Sequence, residues 1–134
     1  ILYDWVNGDS VGDVEKRYST SFFSGVVNHG DIRRCADSVR FHLRSVFQIA
    51  IIMNKPVDVE SMERLFRQLE VGIPEDSLDL LAIPVQLERG EYLALRSSGI
   101  KTKKQLEDAG IDVIKSILSP VSFSRVSGLM GVGA

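Results

Sequence analysis

Cysteine is nearly absent: Cys35 stands alone in 134 residues, so no intramolecular disulfide can form. With Cys35 and two histidines as the only soft ligands, no zinc site of the Cys/His kind can be assembled. A chain without disulfides is expected in a reducing compartment, the cytoplasm by default. No apolar run approaches the length that spans a bilayer, so no membrane segment is predicted. Nor is there an excess of basic charge. Sixteen Lys and Arg against eighteen Asp and Glu leave a formal net charge of -2, and any nucleic-acid contact must rest on a local patch. The phosphate-binding, dinucleotide-binding, zinc-protease and serine-hydrolase signatures are all missing, so catalysis by these residues alone is not expected. Acidic pairs such as Glu75 and Asp76 fall at a helix start, where the helix dipole accounts for them.

What remains is ordinary globular composition, 44% hydrophobic and 25% charged, enough for one packed core without staples. Ile1 already sits in an apolar-patterned stretch, with no Met and no leader, so the chain is expected to be a piece of a longer protein. Period-two alternation is lacking throughout, and the expected class is all-α, a helical bundle. Gly8 ends a first helix, and Ser10 with Asp13 caps a second that runs to about Tyr18. Residues 19–30 read as a loop anchored by Phe22, Phe23 and Val26. Asp31 to about Met53 is the longest stretch free of Gly and Pro. Asp58 caps a helix that Gly72 ends, and Pro74 opens another that Pro84 interrupts. Helices over about Gln86–Ser98, Lys103–Ala109 and Asp112–Leu118 follow, then a weaker segment after Pro120 and a fraying tail. We divide the chain at 1–82, a helical bundle, and 83–134, a C-terminal element expected to pack on it.

The long helix is the informative one. At 100° per residue, Ile32, Cys35, Ala36, Val39, Leu43, Val46, Phe47 and Ala50 share an arc about 120° wide, the predicted core face. Cys35, Val39, Leu43 and Val46 are expected at the centre of the core. The opposite side collects Arg33, Arg34, Asp37, Ser38, Arg40, Phe41, Arg44, Ser45 and Gln48. Arg34 precedes Phe41 by two turns on nearly the same line. Two readings fit: the ring packs on a neighbouring helix, or it stacks on bases of a single strand while arginines hold phosphates. His42, at the edge of the arc, reads as a packing residue.

The C-terminal element is the second candidate. Helices 86–98 and 103–109, joined by Gly99-Ile100-Lys101-Thr102, could present backbone N–H groups to a phosphate, or could form a plain helical hairpin.

Four segments resemble, in order, the ratchet domain of Ski-like superfamily-two helicases, particularly the archaeal and HELQ-type DNA helicases. GDIRRCADSVRFHLRSVFQIA (Gly30–Ala50) is similar to the central ratchet helix, and LYDWVNGDSVGDVEKRYS (Leu2–Ser19) to the region before it. LFRQLEVGIPEDSLDLLAIP (Leu65–Pro84) and SSGIKTKKQLEDA (Ser97–Ala109) resemble the following segment and the family's helix-hairpin-helix. The resemblance implies an accessory domain of an ATP-dependent 3′-to-5′ helicase. No cofactor would belong to these residues; ATP and Mg would sit in motor domains of the same chain, which also carries a winged helix. An Arg and a Trp seven positions apart contact the translocating strand in that family, and the positions fall on Arg34 and Phe41, a Phe where the family has Trp. Arg89, Lys101, Lys103 and Lys104 are the matching hairpin candidates. The chain departs from the family at Gln86-Leu87-Glu88-Arg89, where the family has Gly-hydrophobic-Gly-Arg; Glu88 adds a charge that repels phosphate. The expected partner is single-stranded nucleic acid, DNA in the leading reading. The alternatives are an RNA-directed member of the same family, or a structural and protein-interaction bundle whose acidic stretch Asp58–Asp79 meets a basic partner.

Overall fold

The computed structural model describes residues 1–19 and 26–131. Among them lie eight α-helices, one 3-10 helix and no strand, so the chain is all-α. The anchors Phe22 and Phe23 fall outside the described residues.

Two compact units divide the chain, Ile1–Glu75 and Asp76–Ala134, rather than parting after Ala82. The first unit holds α1 (Leu2–Asn7), α2 (Val11–Tyr18), α3 (His29–Ile52) and α4 (Val59–Val71). Local signals set their ends. Gly8 and Gly72 take the left-handed conformation that stops α1 and α4. Ser10 and Asp58 accept the N–H groups of Asp13 and Ser61. Asn28 and Asp31 form a reciprocal capping box at the start of α3, with bonds of 3.0 and 3.1 Å. Trp5, Val14, Ile32 and Ala36 make the core, surrounded by Leu2, Val6, Val11 and Val27. The indole N–H of Trp5 donates to the Leu69 carbonyl at 3.1 Å, satisfying its one polar group. Loop anchoring falls to Val27 and not to Val26, whose side chain is exposed.

The core lies at the N-terminal end of α3, which corrects the expectation. Ile32 and Ala36 are buried, Cys35, Val39 and Leu43 only half so, and Val46 is exposed. The reason is length. Twenty-four residues make α3 about 36 Å long, whereas six-residue α1 covers about 9 Å of it. Further along, α4 packs on α3, with Phe47 meeting Phe66 and Arg40 meeting Glu70.

The second unit takes in the 3-10 helix (Glu75–Ala82) from Asp76 onward, then α5 (Arg89–Ser97), α6 (Lys103–Asp108), α7 (Ile111–Ile117) and α8 (Pro120–Leu129). Leu80, Leu95, Ile114 and Val126 form its buried centre. The boundary at Glu75 has a physical cause: Asp76 and Asp79 tie the 3-10 segment to the hairpin. α5 begins at Arg89, later than its apolar pattern suggests, because Glu91 accepts the Glu88 N–H there. The segment after Pro120 is a full helix, with Ser119 as cap and proline in its first turn. Glu91 also accepts from the Ser119 N–H and the Ser122 hydroxyl, at 3.0 and 2.9 Å, binding α5 to α8. Partial burial pushes the Glu91 carboxyl up, but these donors outweigh it and hold it below the usual range.

Candidate nucleic-acid interface

Phe41 is 69% exposed, so the reading that packs its ring on another helix does not describe this fold. Its ring meets the edge of His42 at 5.5 Å between centroids. His42 is itself exposed, not a packing residue. Arg34 stands seven positions earlier, about 10 Å along the axis, with 77% of its side chain exposed. It pairs with Asp31 one turn back, and the Asp31 carboxyl lies below its usual range through the Asn28 N–H first and Arg34 second. Asp31 thus closes the capping box and aims Arg34 along the outer face.

The other predicted residues separate into two groups. Arg33, Ser38, Ser45 and Gln48 are exposed on the outer side. Ser45 spends its hydroxyl proton on the Phe41 carbonyl, at 3.3 Å. Arg40 and Arg44 lean the other way, toward α4. Only 23% of the Arg40 side chain is exposed; it pairs with Asp37 at 3.3 Å and with Glu70 of α4 at 3.5 Å. Arg44 lies 5.8 Å from the centroid of the Phe66 ring, which also meets Phe47 edge-on at 5.8 Å. The Arg40 guanidinium, so engaged, is not free to hold a phosphate beside Phe41, whereas Arg44 remains exposed.

The hairpin uses its cations internally. Arg96 holds Asp76 through two bonds of 2.8 and 3.1 Å, and Lys101 adds a third contact at 2.9 Å. The Asp76 carboxyl is accordingly held far below the usual range, by Arg96 chiefly and by Lys101 next, against an opposing effect of burial. The N–H groups of Lys101 and Thr102 donate to Gln105, and that of Lys103 donates to Asp79 at 2.8 Å. The Lys103 ammonium faces Glu107 at 3.9 Å. Lys104 is exposed, and Arg89 is half-buried at the start of α5. A carboxylate therefore already holds the first N–H of α6, where a phosphate oxygen would have to bind.

The acidic stretch is similarly occupied. Glu60 and Glu75 pair with Arg64, Glu70 with Arg40, and Asp58 caps α4. It offers less free negative charge to a basic partner than its composition suggests.

One feature escaped the helical wheel. Val46, Ile49, Ile52 and Met53, in the second half of α3, are each more than half exposed. Its signal was present: no charged residue occurs between Ser45 and Asn54. No cluster of metal ligands occurs among the described residues, and none of their helices is long and apolar enough to cross a membrane. No family model matches the chain.

Proposed function

We propose that the first unit is a nucleic-acid-binding accessory domain of an ATP-dependent 3′-to-5′ helicase, with α3 contacting the translocating single strand. One observation carries the reading: Phe41, a large aromatic ring, stands exposed in line with exposed Arg34, two turns away. A ring so placed stacks on bases of any sequence, and a guanidinium about 10 Å along reaches the phosphate one or two nucleotides away. Arg33 on the same helix adds attraction, while Arg40 and Arg44 serve the packing on α4. The hairpin, its cations and N–H groups satisfied within the unit, contributes little beyond Lys104. DNA is the leading strand type and RNA the alternative within the same family.

The test is fluorescence anisotropy of a labelled oligothymidylate with the wild-type chain, Phe41→Ala and Arg34→Ala. Weakened binding by both variants supports the contact; unchanged binding by both refutes it. In the full-length enzyme, Phe41→Ala should leave ATP hydrolysis running while unwinding falls.

A docking role is the second reading. The uncharged, exposed apolar side chains on the second half of α3 favour it, because interface centres are depleted of charge and rich in such residues.

A further inference from the structure

The outer line of α3 does not stop at Phe41. Steps of four, three and four residues lead from Phe41 through Ser45 and Gln48 to Ile52, and at 100° per residue all four lie within about 60° of one another. Arg34 falls inside the same arc. Ile52 comes eleven positions after Phe41, about three turns and 16 Å further along the axis. Ser45 and Gln48 are exposed, and Ile52 is 79% exposed, more than any other apolar side chain of α3. Isoleucine is among the residues most often buried, so this position asks for a contact.

We infer that the single strand follows this line to the last turn of α3, where Ile52 makes a second base contact. The inference rests on the reading of α3 as a single-strand contact, and it adds the far end of the site and its size. Between Phe41 and Ile52 the helix carries Arg44 and no acidic residue, so nothing along that stretch repels a phosphodiester backbone. The two ends of the line offer different chemistry. Arg33 and Arg34 supply cations near the start. The last turn has no basic residue, and the negative end of the helix dipole disfavours a phosphate there. What Ile52 offers instead is apolar surface, and aliphatic side chains pack against base faces where they wedge between steps. Gln48, between the two platforms, carries an amide that can both donate to and accept from a base edge. The span from Phe41 to Ile52 covers roughly three nucleotides of an extended strand, and the span from Arg34 to Ile52, about 27 Å, roughly five.

Anisotropy with labelled oligothymidylates of about 3 to 12 nucleotides tests it on the 134-residue chain. Wild-type affinity should climb steeply up to about six nucleotides and only gently beyond. Ile52→Ala should bind the shortest oligonucleotide like the wild type and lose roughly three- to tenfold at about six and above. Its melting temperature and its slope of log K against log salt should stay unchanged, because the lost contact is to a base. Ile52→Leu should keep the wild-type affinity, and Ile52→Phe should exceed it through a ring that stacks. Val46→Ala, on a separate exposed stripe with Ile49, should match the wild type at every length. If Phe41→Ala and Arg34→Ala weaken binding while Ile52→Ala changes nothing at about six nucleotides and above, this inference falls alone. An equal loss from Ile52→Ala at all lengths, or an equal loss from Val46→Ala, also overturns it. If neither Phe41→Ala nor Arg34→Ala changes binding, it falls together with the reading of α3 as a strand contact.

Discussion

Truncating Phe41 to alanine separates two physical roles that a phenylalanine can have, because stability and binding should move by very different amounts. A fully buried phenylalanine loses about 3–5 kcal/mol on truncation. Only about a third of Phe41 is covered, and its ring meets that of His42 on the same helix. Scaling by that fraction leaves about 1–1.5 kcal/mol. Alanine then returns about half a kcal/mol through its better helix propensity. The expected loss of stability is under about 1 kcal/mol, a fall in Tm of no more than about 4 °C for a chain of this length. Binding has no such compensation. A lost base stack costs about 1–3 kcal/mol, hence a roughly 5- to 150-fold rise in Kd for a short oligothymidylate. The two assays are a thermal melt followed at 222 nm and anisotropy at fixed salt. A melt lowered by 10 °C or more, or binding unchanged within a factor of two, would refute the stacking assignment.

Three further outcomes follow from other contacts. Arg34→Ala should weaken single-strand binding at all sequences and flatten the slope of log K against log salt by about 0.7, the value for one phosphate contact on a single strand; an unaltered slope would remove Arg34 from the interface. Trp5→Ala should be the most damaging single change in the first unit, costing about 3–5 kcal/mol, since it empties the core and leaves the Leu69 carbonyl without its donor; urea titration checks this. The Asp76 carboxyl, depressed in the fold, contributes stability that is present above the ordinary carboxylate range and is lost as pH falls below about 4. Asp76→Asn should therefore reduce stability at neutral pH and make the acid limb of a Tm-versus-pH curve shallower, and an identical acid limb would refute the linkage.

Helix ends were legible from the sequence because they are decided within four residues. Ser10, Asp58 and Thr102 each cap the helix they precede, and Gly8 and Gly72 take the left-handed turn that no side chain tolerates as well. Burial was less legible. Periodicity told which side of α3 is apolar, but not how far along the helix that side is covered: Ile32 and Ala36 are buried on it and Val46 is exposed. The wheel also placed Arg40 and Arg44 with Phe41, although both bend toward α4; long side chains cross an angular boundary that Cβ positions respect. The hairpin's satisfied state was hidden for another reason. Asp79 meets the Lys103 N–H across 24 positions and Asp76 meets Arg96 across 20, pairings that no local pattern encodes.

The rotation of α3 about its own axis is what the surfaces have in common, and its causes can be named. Ile32 and Ala36 fix it at the N-terminal end by entering the core with Trp5 and Val14. Further along, Phe47 against Phe66, Arg44 over the same ring and Arg40 to Glu70 fix it against α4. Those anchors lie on one side of the helix, so residues roughly 100° or more away have no choice but to face outward. Phe41 is one of them. Its exposure is thus not a property of the residue, which would ordinarily be buried, but a consequence of arginines and phenylalanines that hold the opposite side. Removing the Phe66 ring would loosen that clamp, and the same loss would blur both the Arg34–Phe41 line and the Val46–Ile49 stripe. A surface set by packing on the far side of a helix is disturbed by core substitutions that never touch it.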